Sequence, residues 1–143
     1  MVFEIAAPED EALAAQFVAL EYPEWLPYFS QAFRAGRAGE VILARSGGEI
    51  LGACLAESGA ALWSARFVNP VGAPACILTA ERAPERGIGL ALSAFATEQL
   101  QARGCRTSFI GWTWLVDWYG KLGYRVWAEN IMSWRGREAV DED

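Results

Sequence analysis

The chain has 143 residues, 53% of them hydrophobic and 21% charged; that is one domain's worth, with a core to bury, and it excludes intrinsic disorder. The formal net charge is −6 and only one of the twelve basic residues is a lysine, so the chain lacks the basic face that duplex nucleic acid requires. It contains no histidine, and its three cysteines, Cys54, Cys76 and Cys105, show no CxxC spacing, which excludes a His-based triad and argues against structural zinc or a disulfide framework.

The N-terminus, MVFEIAAPEDE, has no basic n-region and no apolar stretch of signal length. The longest uncharged segment, 67–80, is broken by Pro70 and Pro74 and is too short to cross a bilayer. The expectation is a cytoplasmic protein with no membrane partner.

VFEIA at 2–6 predicts a first strand. Pro8 then starts a helix with Glu9, Asp10 and Glu11 in its first turn, where the helix dipole favours negative charge. Leu13, Phe17 and Leu20 recur at i, i+4 and i+7 and predict one buried face. Pro23 and Pro27 interrupt, and YFSQAFRAG predicts a second short helix reaching Gly36. EVILAR and ILGACLAE flank Ser46, Gly47, Gly48 and Glu49; two apolar runs around a Gly-Gly turn predict a β-hairpin. ALWSARFV is a further strand candidate, and NPVGAP at 69–74 a loop or bulge. ACILTA at 75–80 is a short apolar run, as expected for a central strand buried on both faces.

The stretch PERGIGLALSAFATEQLQARG at 84–104 places Gly87 and Gly89 where a helix has to nucleate, although glycine costs about 1 kcal/mol against alanine inside one. Behind them Ile88, Ala91, Leu92, Phe95, Ala96 and Leu100 share one helical face, and Arg103 with Gly104 supplies a cation and a C′ glycine. CRTSFIGWT is a strand. Thr113 can cap a short helix, WLVDWYGKLG, which Gly123 ends. YRVWAENIMSWR is one bent strand or two short ones, and the tail AVDED is acidic. There are no internal repeats and no Gly, Pro or Ser-rich linker. The order β-α-α-β-β-β-α-β-α-β(-β) predicts a single α/β (α+β) domain over 1–143, a mixed central sheet flanked by helices.

That order, with Gly-x-Gly opening the helix after the central strand, resembles the GNAT superfamily of acyl-CoA N-acyltransferases, most strongly over 77–124. The superfamily's Gln/Arg-x-x-Gly-x-Gly/Ala loop holds the coenzyme A pyrophosphate, and it matches at Gly87, Ile88 and Gly89. Its aromatic-Tyr-x-x-x-Gly-aromatic signature matches WYGKLGY at Trp118, Tyr119, Gly123 and Tyr124. The first turn of a helix has unpaired N–H groups and partial positive charge, and removing Cβ lets phosphate oxygens come close. Gly87, Gly89, Leu90 and Ala91 would then offer amides, with Arg82 and Arg86 beside them. The other reading of the glycines is a turn that allows close helix–sheet packing. A dinucleotide-binding fold fits poorly, because position 92 is leucine and no acidic residue follows about twenty positions later.

The match is incomplete: Pro84 stands where the pattern has Gln or Arg, and Glu85 where a glycine is common. A carboxylate 4 Å from a phosphate charge repels it by about 1 kcal/mol in water. Arg82 and Arg86 balance Glu81 and Glu85, so the attraction would come mainly from backbone amides and the dipole.

The resemblance implies that Tyr119 protonates the departing coenzyme A thiolate; a phenol of pKa about 10 can donate to a thiolate whose acid lies at about 8.5. It also implies that the backbone N–H groups of Leu78, Thr79 and Ala80 support the oxyanion. Glu81, just after the central strand, and Glu57, ending the third, are the candidate bases, beside a water or an amine that is already neutral. Trp112, Trp114, Trp118, Trp127 and Trp134 are mostly packing residues; some of them, with Trp25, Tyr28 and Phe29, could wall an acceptor pocket. The implied function is transfer of an acetyl group from acetyl-CoA, without a metal, to the amine of a small molecule or peptide, by a monomer or a homodimer. The rivals are a non-catalytic acyl-CoA-binding or protein-interaction domain with the same fold, and an α/β dimerisation module using the Trp-rich end.

Overall fold

The computed structural model describes residues 1–58, 70–84, 86–111, 113 and 115–126. The strand candidate ALWSARFV, Glu85, Trp112, Trp114 and everything from Trp127 onward, including most of the last strand and the acidic tail, lie outside them. Packing divides the chain into two units, Met1–Thr113 and Trp114–Asp143.

The first unit holds a five-stranded sheet: β1 (Val2–Ile5), β2 (Val41–Ser46), β3 (Glu49–Ser58), β4 (Val71–Thr79) and β5 (Thr107–Ser108), side by side in that order. The first four strands pair antiparallel and β4 with β5 parallel, so the sheet is mixed as expected. The β2–β3 turn is the predicted hairpin. Gly47 and Gly48 have φ of 57° and 87°, the two positive angles that a two-residue turn matched to strand twist demands.

Helix α1 (Glu11–Glu21) follows a 3-10 turn at Pro8–Asp10, and α2 (Leu26–Arg34) follows another at Pro23–Trp25. The face that α1 buries is Ala14, Phe17 and Val18; Leu13 and Leu20 are exposed, a correction to the expected stripe. The i, i+4, i+7 pattern was shared by two overlapping stripes, and the one with the small Ala14 fits the sheet. Arg45 ties this end of the chain together, donating to Glu4 and, at 2.6 Å, to Asp10.

Two further expectations are corrected along β4. Within NPVGAP, Val71 to Pro74 is strand and not loop, since β4 starts at Val71 and runs through Pro74; Asn69 lies outside the described residues. Gly72 turns its carbonyl toward β5, where the Phe109 amide donates to it at 2.8 Å, so by alternation Pro74 faces the same edge. Beyond Gly72 no described residue pairs with that edge, so the missing proline N–H deprives no ladder among the described residues. The strand buried on both faces is β3, whose residues 50–56 are all buried, whereas Ala75, Cys76 and Ile77 of β4 are half-buried.

Helix α3 (Ile88–Ala102) buries Ile88, Leu92, Ser93, Ala96 and Leu100 on the sheet, close to the predicted face. It rests on two glycines. A Cβ at Gly52 would come within 2.9 Å of Leu92, and one at Gly72 within 2.6 Å of Leu100. Gly104 ends α3 as predicted, with φ 94°, its N–H on the Gln101 carbonyl and that of Cys105 on the Leu100 carbonyl, both at 3.0 Å.

The second unit contains α4 (Val116–Gly120). Its N-cap position is Leu115, without a side-chain cap, and not Thr113 as expected. Gly123, φ 92°, ends the turn as predicted.

Candidate functional site

The sheet forks at β4. Its pairing with β5 consists of Val71 with Thr107 and Gly72 with Ser108; among the described residues no strand pairs with the outer edge after that. On the other edge Ala53 pairs with Leu78 and Leu55 with Ala75, so Cys76 and Ile77 together oppose Cys54. This is a β-bulge, which bends the strand and sharpens its twist. Cys76 has φ 51°, the only non-glycine positive φ among the described residues. A left-handed conformation costs a residue with a Cβ about 1–2 kcal/mol. Burial, then the charge of Glu57, pushes the Cys76 thiol up to about 12, and burial raises Cys54 further. Both stay protonated at neutral pH, which makes them inert packing groups and not nucleophiles.

The bulge and fork decide which backbone donors can face a ligand. The Ala80 amide donates to the Leu51 carbonyl at 2.8 Å and is therefore committed to β3, a correction to its expected part in an oxyanion site. Antiparallel strands turn alternate amides to opposite edges, so Leu78 faces β3 as Ala80 does, and the amide of Thr79 faces the open edge.

The glycine turn follows directly. Gly87 occupies the N-cap position of α3 with φ 82° and ψ 10°, a left-handed conformation in which a side chain is strained. A Cβ there would meet nothing within 4 Å, so it is conformation, not crowding, that asks for glycine. The first bond of the helix runs from the Ala91 amide to the Gly87 carbonyl at 3.0 Å, which removes Ala91 from the donors expected of this turn. The amides of Ile88, Gly89 and Leu90 precede that bond and have no backbone acceptor among the described residues. Three N–H groups without a backbone acceptor among the described residues, with the positive end of a fifteen-residue helix behind them, suit an anion. Ser93 steadies the turn by donating to the Gly89 carbonyl at 2.9 Å.

The charged candidates are dispersed. Arg82 donates to Glu49 on the hairpin at 2.9 Å, and Arg86 is exposed. Glu81 is exposed, with its own amide donating to the Glu21 carboxylate at 2.8 Å; Leu20, Glu21, Glu81 and Arg82 line a shallow open groove. Glu57 is raised above the usual carboxylate range by loss of solvent around its carboxyl group and by the neighbouring Glu40, against a lowering pull from Arg37. Of the aromatic residues expected to wall a pocket, Phe29 is a core residue and Tyr28 is exposed. Glu85 lies outside the described residues. In the second unit Tyr119 is buried, with Trp118 edge-on to it at 4.8 Å and Tyr124 at 6.0 Å. The signature residues thus pack on one another.

Sequence reasoning passed over Gly52 and Cys76. An isolated glycine inside ILGACLAE is a signal of close backbone approach. The bulge carries no such mark, because a cysteine holds the position that usually takes glycine.

Among the described residues no helix is long and apolar enough to cross a membrane, and no group of three His, Cys, Asp or Glu could hold a metal ion. No protein-family model and no curated protein sequence matches the chain. Solved structures do. The GCN5-related glucosamine N-acetyltransferase region of a fungal multi-domain GH3 β-N-acetylglucosaminidase superposes with a TM-score of 0.81 at 24% identity, over 88% of this chain and 16% of that one. The chain thus spans about a sixth of that protein's length. An aminoglycoside N-acetyltransferase in complex with CoA gives 0.67 at 14% identity, over 95% of both chains. A Mycobacterium tuberculosis protein in complex with CoA gives 0.64 at 17% identity, over 99% of this chain and 80% of that one. With its mixed five-stranded sheet forked between β4 and β5 and a glycine turn opening the next helix, the chain has the fold of the GNAT superfamily, the GCN5-related acyl-CoA N-acyltransferases.

Proposed function

We propose that residues 1–143 act as one cytoplasmic N-acetyltransferase domain, moving an acetyl group from acetyl-CoA to the amine of a small molecule or peptide. The observation that carries this reading is the run of three amides, Ile88, Gly89 and Leu90, without a backbone acceptor among the described residues, at the start of a helix that follows the forked strand. A pyrophosphate fits such a turn, since the left-handed Gly87 leaves open space where a side chain would stand. When bound, acetyl-CoA supplies an activated thioester. The amides of the turn hold its phosphates, and the Thr79 amide is the donor to the acetyl carbonyl oxygen. Tyr119 is the candidate proton donor to the departing sulfur, the role its WYGKLGY signature implies. Glu81 is the candidate base beside water or a neutral amine, and nothing in this scheme requires a metal.

A non-catalytic acyl-CoA-binding domain is the second reading, favoured by the commitment of Ala80 to Leu51 and of Arg82 to Glu49, which leaves fewer groups for chemistry. Calorimetric titration with acetyl-CoA, followed by thiol release across an amine panel, separates the readings. Binding with turnover supports the enzyme and binding alone the non-catalytic domain; neither points to an interaction module, with a homodimer its first candidate.

A further inference from the structure

We infer that Gly52 is a positioning residue for the anion-binding turn of α3: its missing side chain lets the first turn of the helix settle on the sheet, and so fixes where the amides of Ile88, Gly89 and Leu90 stand. This rests on the reading of that turn as a coenzyme A site. Gly52 lies on β3, buried, inside an otherwise apolar run of larger residues. Its φ is not positive, so backbone conformation does not ask for glycine. Space does. A Cβ would lie 2.9 Å from Leu92 Cδ1, 3.0 Å from Ile88 Cγ2 and 3.3 Å from the Leu78 carbonyl oxygen.

Those neighbours define the effect of adding a methyl group. The carbonyl belongs to β4 and is held in the sheet, so the helix side must yield. Ile88 carries the first of the three amides, and Leu92 sits one turn later on the same face. Both side chains are buried, with little room to turn aside, so the added methyl presses on the first turn and the donors it carries. Hydrogen bonds weaken steeply as geometry departs from ideal, and misplacement by about 1 Å can cost about a hundredfold where several groups must converge.

The test uses the full chain and two acyl carriers, coenzyme A and pantetheine, which lacks the pyrophosphate. Gly52→Ala should weaken coenzyme A binding about tenfold while leaving the KM for acetyl-pantetheine within about twofold. Leu100→Ala, three turns along the same helix and fully buried, supplies a comparable loss of melting temperature and should leave coenzyme A affinity within about twofold. Should Gly52→Ala fail to fold, Ile88→Leu withdraws the branch that rests on Gly52 at nearly constant volume, and must show the same split between the two carriers. Unchanged coenzyme A affinity in the folded variant, equal losses for both carriers, or an equal loss in Leu100→Ala would overturn the inference. Wild-type protein that binds no coenzyme A would overturn the reading of the site itself, a different failure visible before any variant is made.

Discussion

Arg82 donates to Glu49 at 2.9 Å, which ties a guanidinium expected beside the glycine turn to the β2–β3 hairpin. Both side chains are more than half exposed, so solvent screens the pair and it adds little to stability. Glu49→Gln should therefore leave the melting temperature nearly unchanged. It frees a positive charge and removes a negative one, and coenzyme A should bind about two- to threefold more tightly at low ionic strength. Titrations at low and high salt check this: the gain should vanish in salt and in the double variant Glu49→Gln/Arg82→Ala.

Gly87→Val places a branched side chain at φ 82° on the residue that opens α3. The strain should lower stability by about 1–2 kcal/mol and coenzyme A affinity about tenfold, roughly 1.4 kcal/mol. Asparagine tolerates the left-handed region, so Gly87→Asn should recover most of the lost stability. Thermal melts beside calorimetric titrations give both numbers. A folded valine variant with wild-type affinity would remove this turn from the site.

Much of this was legible from residue patterns, and the reasons differ element by element. The Gly47-Gly48 turn fixes its hairpin locally, because its two positive φ angles follow from the dipeptide itself. The end of α3 is equally local: Gly104 closes it within five residues. The buried face of α1 was not, since choosing Val18 over Leu20 depends on which sheet surface the helix meets. The partner of Arg82 is 33 residues away, on a hairpin whose placement no local pattern encodes. The donors available to a ligand were legible as a set and not one by one. Removing Ala80 and Ala91 took two backbone hydrogen bonds that appear only once β3, β4 and α3 are assembled.

Tyr119→Phe keeps the ring that packs on Trp118 and Tyr124 and removes only the hydroxyl. If that hydroxyl delivers a proton to the leaving sulfur, acyl transfer should slow about a hundredfold or more, with acetyl-CoA binding nearly constant. A packing role alone predicts the reverse pattern, about 1 kcal/mol of stability lost and turnover kept. Rates and melting curves on one preparation decide between them.

Glu57 gives a pH signature. Its carboxyl is raised by loss of solvent first and by Glu40 second, so the folded chain holds that proton more tightly than the unfolded chain does. Stability is then greatest while Glu57 is protonated. It falls as pH rises from the unfolded carboxyl value, about 4.3, through the raised folded one. Glu57→Gln should melt at a higher temperature than wild type at neutral pH, and the difference should shrink below the unfolded value. Melting temperatures of both proteins across that range test the sign; a lower-melting glutamine variant at neutral pH would contradict it.

The proline and the extra residue of β4 have a consequence for how the protein behaves in a crowded solution. A strand edge without a partner is a template on which other chains can add, the usual first step toward aggregation. Along the stretch of β4 that has no strand partner among the described residues, the buried Pro74 has no N–H to offer, and the bulge at Cys76 breaks the flat ladder an added strand would need. Straightening this edge, by Pro74→Val together with deletion of Cys76, should raise self-association, read as a larger sedimenting or light-scattering fraction at high concentration. Two residues of β4 thus keep this stretch from serving as such a template.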